Sequence, residues 1–176
     1  MAFIVEDGSG VPGANSYATV EYAVSYFEER GRTAEFDGTD DQRKGWLVQA
    51  TDYIERFAER FKSVQLLASQ SLSFPRALFV GLAGSNTNMV VDAWMPELLL
   101  KAACEYAARA KRGPLAPDPV VDATGHSVVM TSRKVGPLER SFAVVGDGRV
   151  QAFRSYPAAD RLLSSLLRPA QQRVIR

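Results

Sequence analysis

Apolar positions recur at helical spacing in four stretches of the chain and at strand spacing in one. Val20, Ala23, Val24 and Phe27 fall at i, i+3, i+4 and i+7, one stripe of an amphipathic helix. Thr19 stands where an N-cap belongs, and Gly31 supplies a left-handed stop. A second helix is predicted from Thr39, with Gln42 at the capping-box spacing. It buries Trp46, Leu47, Ala50, Tyr53, Ile54 and Phe57 and turns Arg43, Lys44, Asp52, Glu55, Arg56 and Glu59 to water. The third helix has Pro96 in its first turn and Gly113 just past its end. Leu99, Ala102, Ala103, Tyr106, Ala107 and Ala110 form its apolar side, and its alanines admit a close neighbour. A short helix after Tyr156-Pro157 carries Leu162, Leu163, Leu166 and Leu167 and is stopped by Pro169.

Between these helices the pattern breaks twice. Residues 62–92 are rich in Ser, Gly and Asn and read as a long irregular loop. Pro114 to Pro119 form a stiff linker, after which the period drops to two through Val128, Met130, Val135, Leu138, Phe142 and Val144. Gly136-Pro137 then marks the turn of a half-exposed β-hairpin over about 126–145. Phe3-Ile4-Val5 is a further short strand candidate. The expected fold is mainly α: a small bundle of three main helices plus a short C-terminal helix, with a protruding β-hairpin. Residues 1–113 form the helical core, and 114–176 add linker, hairpin, short helix and tail to the same single domain.

Composition narrows the function classes. With 176 residues, 46% hydrophobic and 23% charged, the chain can bury a real core. A single cysteine, Cys104, excludes a disulfide scaffold and suits a reducing compartment. No apolar run reaches the roughly 18 residues of a membrane helix, and the first residues lack the pattern of a signal peptide. No membrane partner is expected.

The net charge of +1 hides an asymmetry. Residues 1–132 carry 12 basic and 17 acidic side chains, whereas residues 133–176 carry 9 and 3. A basic C-terminal quarter on an acidic body points to a polyanion or an acidic partner at that end, or to a solvated Arg-rich face.

Signals for catalysis are weak. Gly8-Ser9-Gly10-Val11-Pro12-Gly13 spells a dinucleotide fingerprint, but the next helix begins only near Thr19, so it reads as a connecting loop. His126 is the lone histidine and cannot build a two-histidine metal site, and Cys104 sits on an alanine-rich helix face. No catalytic, cofactor-binding or metal-binding residues are expected, and no cofactor. Two surface features remain. Arg133, Lys134 and Arg140 gather at the hairpin tip, where they could meet phosphate. Arg173-Val174-Ile175-Arg176 places two apolar residues between arginines, a short peptide able to add to another protein's surface.

Several segments together resemble a bacteriophage and prophage family. They are Phe3 to Gly8 through Ala14-Asn15-Ser16-Tyr17, then Tyr26-Phe27 and Gly31, Ala50 to Ile54, and Ser73-Phe74-Pro75-Arg76. Pro96 to Ala110, Lys134 to Glu139, Tyr156-Pro157 and Asp160 to Leu167 complete the likeness in chain order. Members are described either as head–tail connector (adaptor, head-completion) proteins or as DnaT-like single-stranded-DNA-binding proteins. The resemblance implies a virion protein of the neck, made in the host cytoplasm, that docks on the portal protein as a homo-oligomeric ring of about twelve copies. Such a ring extends the DNA channel and offers a surface to the next neck or tail-completion protein.

By the same resemblance the tail contacts the portal: Arg168, Gln171, Gln172, Arg173, Val174, Ile175 and Arg176. Arg133, Lys134 and Arg140 would face either packaged double-stranded DNA or a neighbouring copy. The alternative function is a replication-type single-stranded-DNA binder. Ala77 to Met89 departs from the family pattern, and no role is assigned to it.

Overall fold

A computed structural model of the chain describes residues 2–81, 88–117, 131–135, 138–142 and 155–168. The elements follow the helical reading closely. Helix α1 spans Val20–Glu28, and the Thr19 hydroxyl accepts from the Tyr22 amide at 3.0 Å. Its end is closed by two reverse bonds, Arg32 N–H to the Phe27 carbonyl and Gly31 N–H to that of Glu28, with Gly31 at φ +62°. Helix α2, Asp40–Glu55, opens with the expected box: Thr39 caps Gln42, and the Gln42 side chain returns to the Thr39 amide. Helix α3 runs Glu97–Ala110 with Pro96 as its N-cap, and α4 runs Pro157–Ser164.

The body is assembled around α3. Leu99, Ala102, Ala103, Cys104, Tyr106 and Ala107 are wholly buried, and α2 and α4 pack against this helix. Alanine on the facing side keeps α3 thin enough for its neighbours to approach, while aromatic rings fill the remaining space. Tyr53, Tyr106 and Tyr156 meet edge-on or tilted at centroid distances of 4.9–6.0 Å. Phe27 stacks on Phe36 at 5.5 Å. Tyr106 Oη donates to Asp160 at 2.6 Å and Tyr156 Oη to the Leu115 carbonyl at 2.8 Å, which ties α4 to α3 and to the chain just beyond it.

Two expectations are corrected. The stretch 62–92 is not one irregular loop: it carries strands β1 (Val64–Gln65), β2 (Arg76–Gly81) and β3 (Asn88–Trp94) in an antiparallel sheet of order β1-β2-β3. The apolar runs Leu78-Phe79-Val80 and Met89-Val90-Val91 supply the strands, and the surrounding Ser, Gly and Asn residues dilute their signal. A bulge follows Leu78, so that Leu78 pairs with Asp92 but Phe79 with Val90. The strand expected at Phe3 to Val5 shrinks to an isolated bridge between Val5 and Ser16. There Asn15 serves as a substitute partner, accepting from the Ile4 amide and donating to the Ala2 carbonyl.

The chain forms two compact units, Met1–Leu115 with Tyr156–Arg176, and Ala116–Ser155. Helix α4 falls in the first unit, packed on α3. The second unit contains β4 (Thr131–Val135) and β5 (Leu138–Phe142), an antiparallel pair within the span expected for the hairpin. The Gly136-Pro137 turn lies outside the described residues. Among the described residues, no helix is long and apolar enough to cross a membrane.

Candidate functional site

The hairpin register sorts the three basic residues. Arg133 stands directly opposite Arg140, Lys134 opposite Glu139, and Val135 opposite Leu138. The backbone register thus makes Arg133 and Arg140 facing positions and gives Lys134 the acidic Glu139 as its register partner.

Of the residues assigned to portal docking, Arg168 is described. It is exposed, and its amide donates to the Arg60 carbonyl at 2.8 Å, fixing where the tail leaves the body. Gln171, Gln172, Arg173, Val174, Ile175 and Arg176 lie outside the described residues, as does His126.

Three hydrogen-bonded carboxylates, two buried and one half-buried and none singled out by the sequence pattern, organise the body. Glu105 on α3 is 3% exposed. It accepts from Tyr26 Oη at 2.9 Å, from Arg32 at 2.6 and 3.1 Å, and from Arg109. Arg32 also forks onto Glu35 at 2.7 and 2.8 Å, so one guanidinium joins α3 to the turn after α1. Burial pushes the Glu105 carboxyl up, but hydrogen bonds from Arg32 and Tyr26, with the charges of Arg109 and Arg32, outweigh it and leave the group below the usual glutamate range. Tyr26, buried and donating to that carboxylate, is raised to about 12.

Glu55 was expected to face water. It instead receives the Tyr17 hydroxyl together with the Ser73 amide and hydroxyl, while Tyr17 Oη accepts from the Phe74 amide at 3.3 Å. Burial, reinforced by the Glu55 charge, drives the Tyr17 phenol far above its ordinary range. Glu6, also 3% exposed, accepts from the amides of Gly8, Gly10 and Val11, each at 2.9 Å. This explains the G-x-G-x-x-G match: the amides that would cradle a phosphate are already held by a carboxylate of the same chain. Gly10 is required there, with φ +83° and Leu67 Cδ1 only 3.0 Å from where a Cβ would stand.

Arg76 completes the pattern, its guanidinium buried between Phe61 and Phe74 and donating to the carbonyls of Lys62, Ser63 and Ser73. Cys104 is fully buried, and desolvation, aided by Glu105, pushes its thiol up to about 12. That places it among packing residues rather than nucleophiles. Among the described residues, no group of three His, Cys, Asp or Glu side chains is placed to hold a metal ion.

No curated protein and no solved structure matches the chain. The model of one family, whose description is "Putative DnaT-like ssDNA binding protein", matches residues 1–176. Matched along its whole given length, the chain belongs to this DnaT-like family.

Proposed function

We propose that the protein is a head–tail adaptor of a tailed phage, docking as a ring beneath the portal, extending the DNA channel and presenting a surface to the next neck or tail component. The observation that carries this reading is how the aromatic side chains are used. Every aromatic ring whose side chain is described is buried or half-buried, from Tyr17, Phe27 and Phe36 to Phe74 and Tyr106, and most pack on one another. A single-strand binder needs rings left open for stacking bases. A body stiffened by buried ion pairs and stacked rings is instead what a load-bearing scaffold requires. In this reading Arg168 to Arg176 form the portal-facing segment.

A second reading, single-stranded-DNA binding, is favoured by the description of the family and by the Arg133–Arg140 register pair. The two separate in the phage that encodes the protein. Without the protein, an adaptor's absence should leave DNA synthesis intact and give heads and tails that fail to join. Normal assembly from the few genomes made, with DNA synthesis itself reduced, would overturn the adaptor reading in favour of the second.

A further inference from the structure

Just past the ends of α2 and α4 the chain pairs with itself in a short bridge. Phe61 stands antiparallel to Leu167, the Lys62 amide donates to the Leu166 carbonyl at 3.0 Å, and the Arg168 amide donates to the Arg60 carbonyl at 2.8 Å. Phe61 is wholly buried and anchors this bridge on the core. Arg60, Lys62 and Arg168 are exposed, and the pairing makes Arg60 and Arg168 cross-strand neighbours. Arg76, 7% exposed, fastens the same segment from within, donating to the carbonyls of Lys62 and Ser63 at 2.8 Å each and of Ser73 at 3.1 Å.

Elsewhere in the body Arg30, Arg32, Lys44, Lys101, Arg109 and Arg112 each have a carboxylate oxygen within 3.7 Å. Arg60, Lys62, Arg76 and Arg168 form no ion pair among the described residues. Lys62 Nζ donates to a neutral acceptor, the Ser165 carbonyl at 2.8 Å, and so keeps its full charge. Glu59, the one acid between Arg56 and Lys62, is exposed and bridges to none of them. Burial lowers the Arg76 guanidinium, and the Arg168 charge adds to this while Tyr17 and Glu55 oppose it, so the two arginines feel one another. The result is a ridge of four cations that the fold gathers and leaves without counter-charge.

We propose that this ridge binds the phosphodiester backbone of DNA without reading its bases. Guanidinium forks match phosphate oxygens, and cations that no carboxylate neutralises are the ones able to displace the counterions of a nucleic acid. The described aromatic rings are buried or half-buried, so bases find no open platform, and the contact falls on the backbone that single and double strands share. The ridge is a site apart from the hairpin arginines. It ends at Arg168, where the segment assigned to portal docking begins, so its readout is DNA affinity and not docking.

The test is fluorescence anisotropy of the full-length protein with labelled oligothymidylate and with a duplex of equal length, each about 30 nucleotides, room for two sites of up to about 16. Both should bind. The three exposed cations set a slope of log affinity on log salt of about −2 for the single strand and about −3 for the duplex. Arg60→Gln with Lys62→Gln and Arg168→Gln should weaken both at least about tenfold at about 50 mM salt and flatten the slopes. Arg60→Gln with Arg168→Gln, which leaves the Lys62–Ser165 bond in place, should remove about two-thirds of each slope. Arg133→Ala with Arg140→Ala should change neither affinity. Binding of the single strand alone would put base stacking at the site and overturn the proposal. Affinity kept by both ridge variants, or lost with the hairpin pair instead, would overturn it as well. So would the absence of affinity for either DNA, and capture of a polyglutamate peptide in its place would give the ridge to an acidic protein partner.

Discussion

Glu105 offers the most demanding test of how the body is held together. Replacing it by alanine leaves Tyr26, Arg32 and Arg109 facing a site 3% exposed. Removing one partner of a buried ion pair costs about 3–5 kcal/mol. Here Arg32 keeps both bonds to Glu35, and the Arg32 and Arg109 side chains are 31% and 22% exposed, so water reaches part of each. The expected loss therefore sits near the lower end, about 3 kcal/mol, or roughly 10 °C in Tm. Glu105→Gln, which keeps the shape and the Tyr26 bond, should lose about 1–2 kcal/mol less.

The measurement is urea unfolding at neutral pH, repeated down to about pH 3. Because the Glu105 carboxyl lies below the usual glutamate range when folded, its contribution is complete above about pH 4.5 and fades as protons are added below that. The stability gap between wild type and Glu105→Gln should accordingly narrow on acidification. A loss below about 1 kcal/mol for Glu105→Ala, or a gap that stays constant with pH, would refute the account of this network.

Glu6→Ala should cost about 2 kcal/mol and speed amide exchange at Gly8, Gly10 and Val11, since three amides lose one charged acceptor. Unchanged exchange would mean the loop holds itself. Thr39→Ala should cost about 1 kcal/mol in thermal or urea unfolding by removing the cap of α2. Deleting 169–176 should abolish portal docking in a pull-down while circular dichroism and Tm stay close to wild type; retained docking would remove the tail from the interface. Arg133→Ala with Arg140→Ala should leave portal docking intact. If the single-strand reading held, the same pair should abolish a salt-sensitive affinity for single-stranded DNA, read by fluorescence anisotropy.

The helices were legible because their information is local. Thr19, Thr39 and Gln42 state where two of them begin, Gly31 states where one stops, and the leucine and alanine spacings state which faces are buried. The hairpin was legible for the same reason, through a period of two around Gly136-Pro137. The sheet was not: β1 has only two residues, and the β2 and β3 runs are separated by polar and glycine residues that outweigh them in any short window.

The carboxylate networks were illegible for a different reason. Glu55 occupies a helix position where charge normally faces water, and its partners Tyr17 and Ser73 are distant in sequence. Glu105 left one faint mark, a lone acid among the alanines and Tyr106 of α3, but only the fold brings Arg32 and Tyr26 to it. That Arg133 and Arg140 face each other in the ladder likewise needed the register.

The central claim is that this chain is a structural ring component at the portal. Its most direct test is the mass of the particle formed when the full-length protein meets the portal ring of the phage that encodes it, compared with the portal alone. The account predicts a gain of about twelve copies per portal. A portal whose mass is unchanged at saturating protein would contradict it.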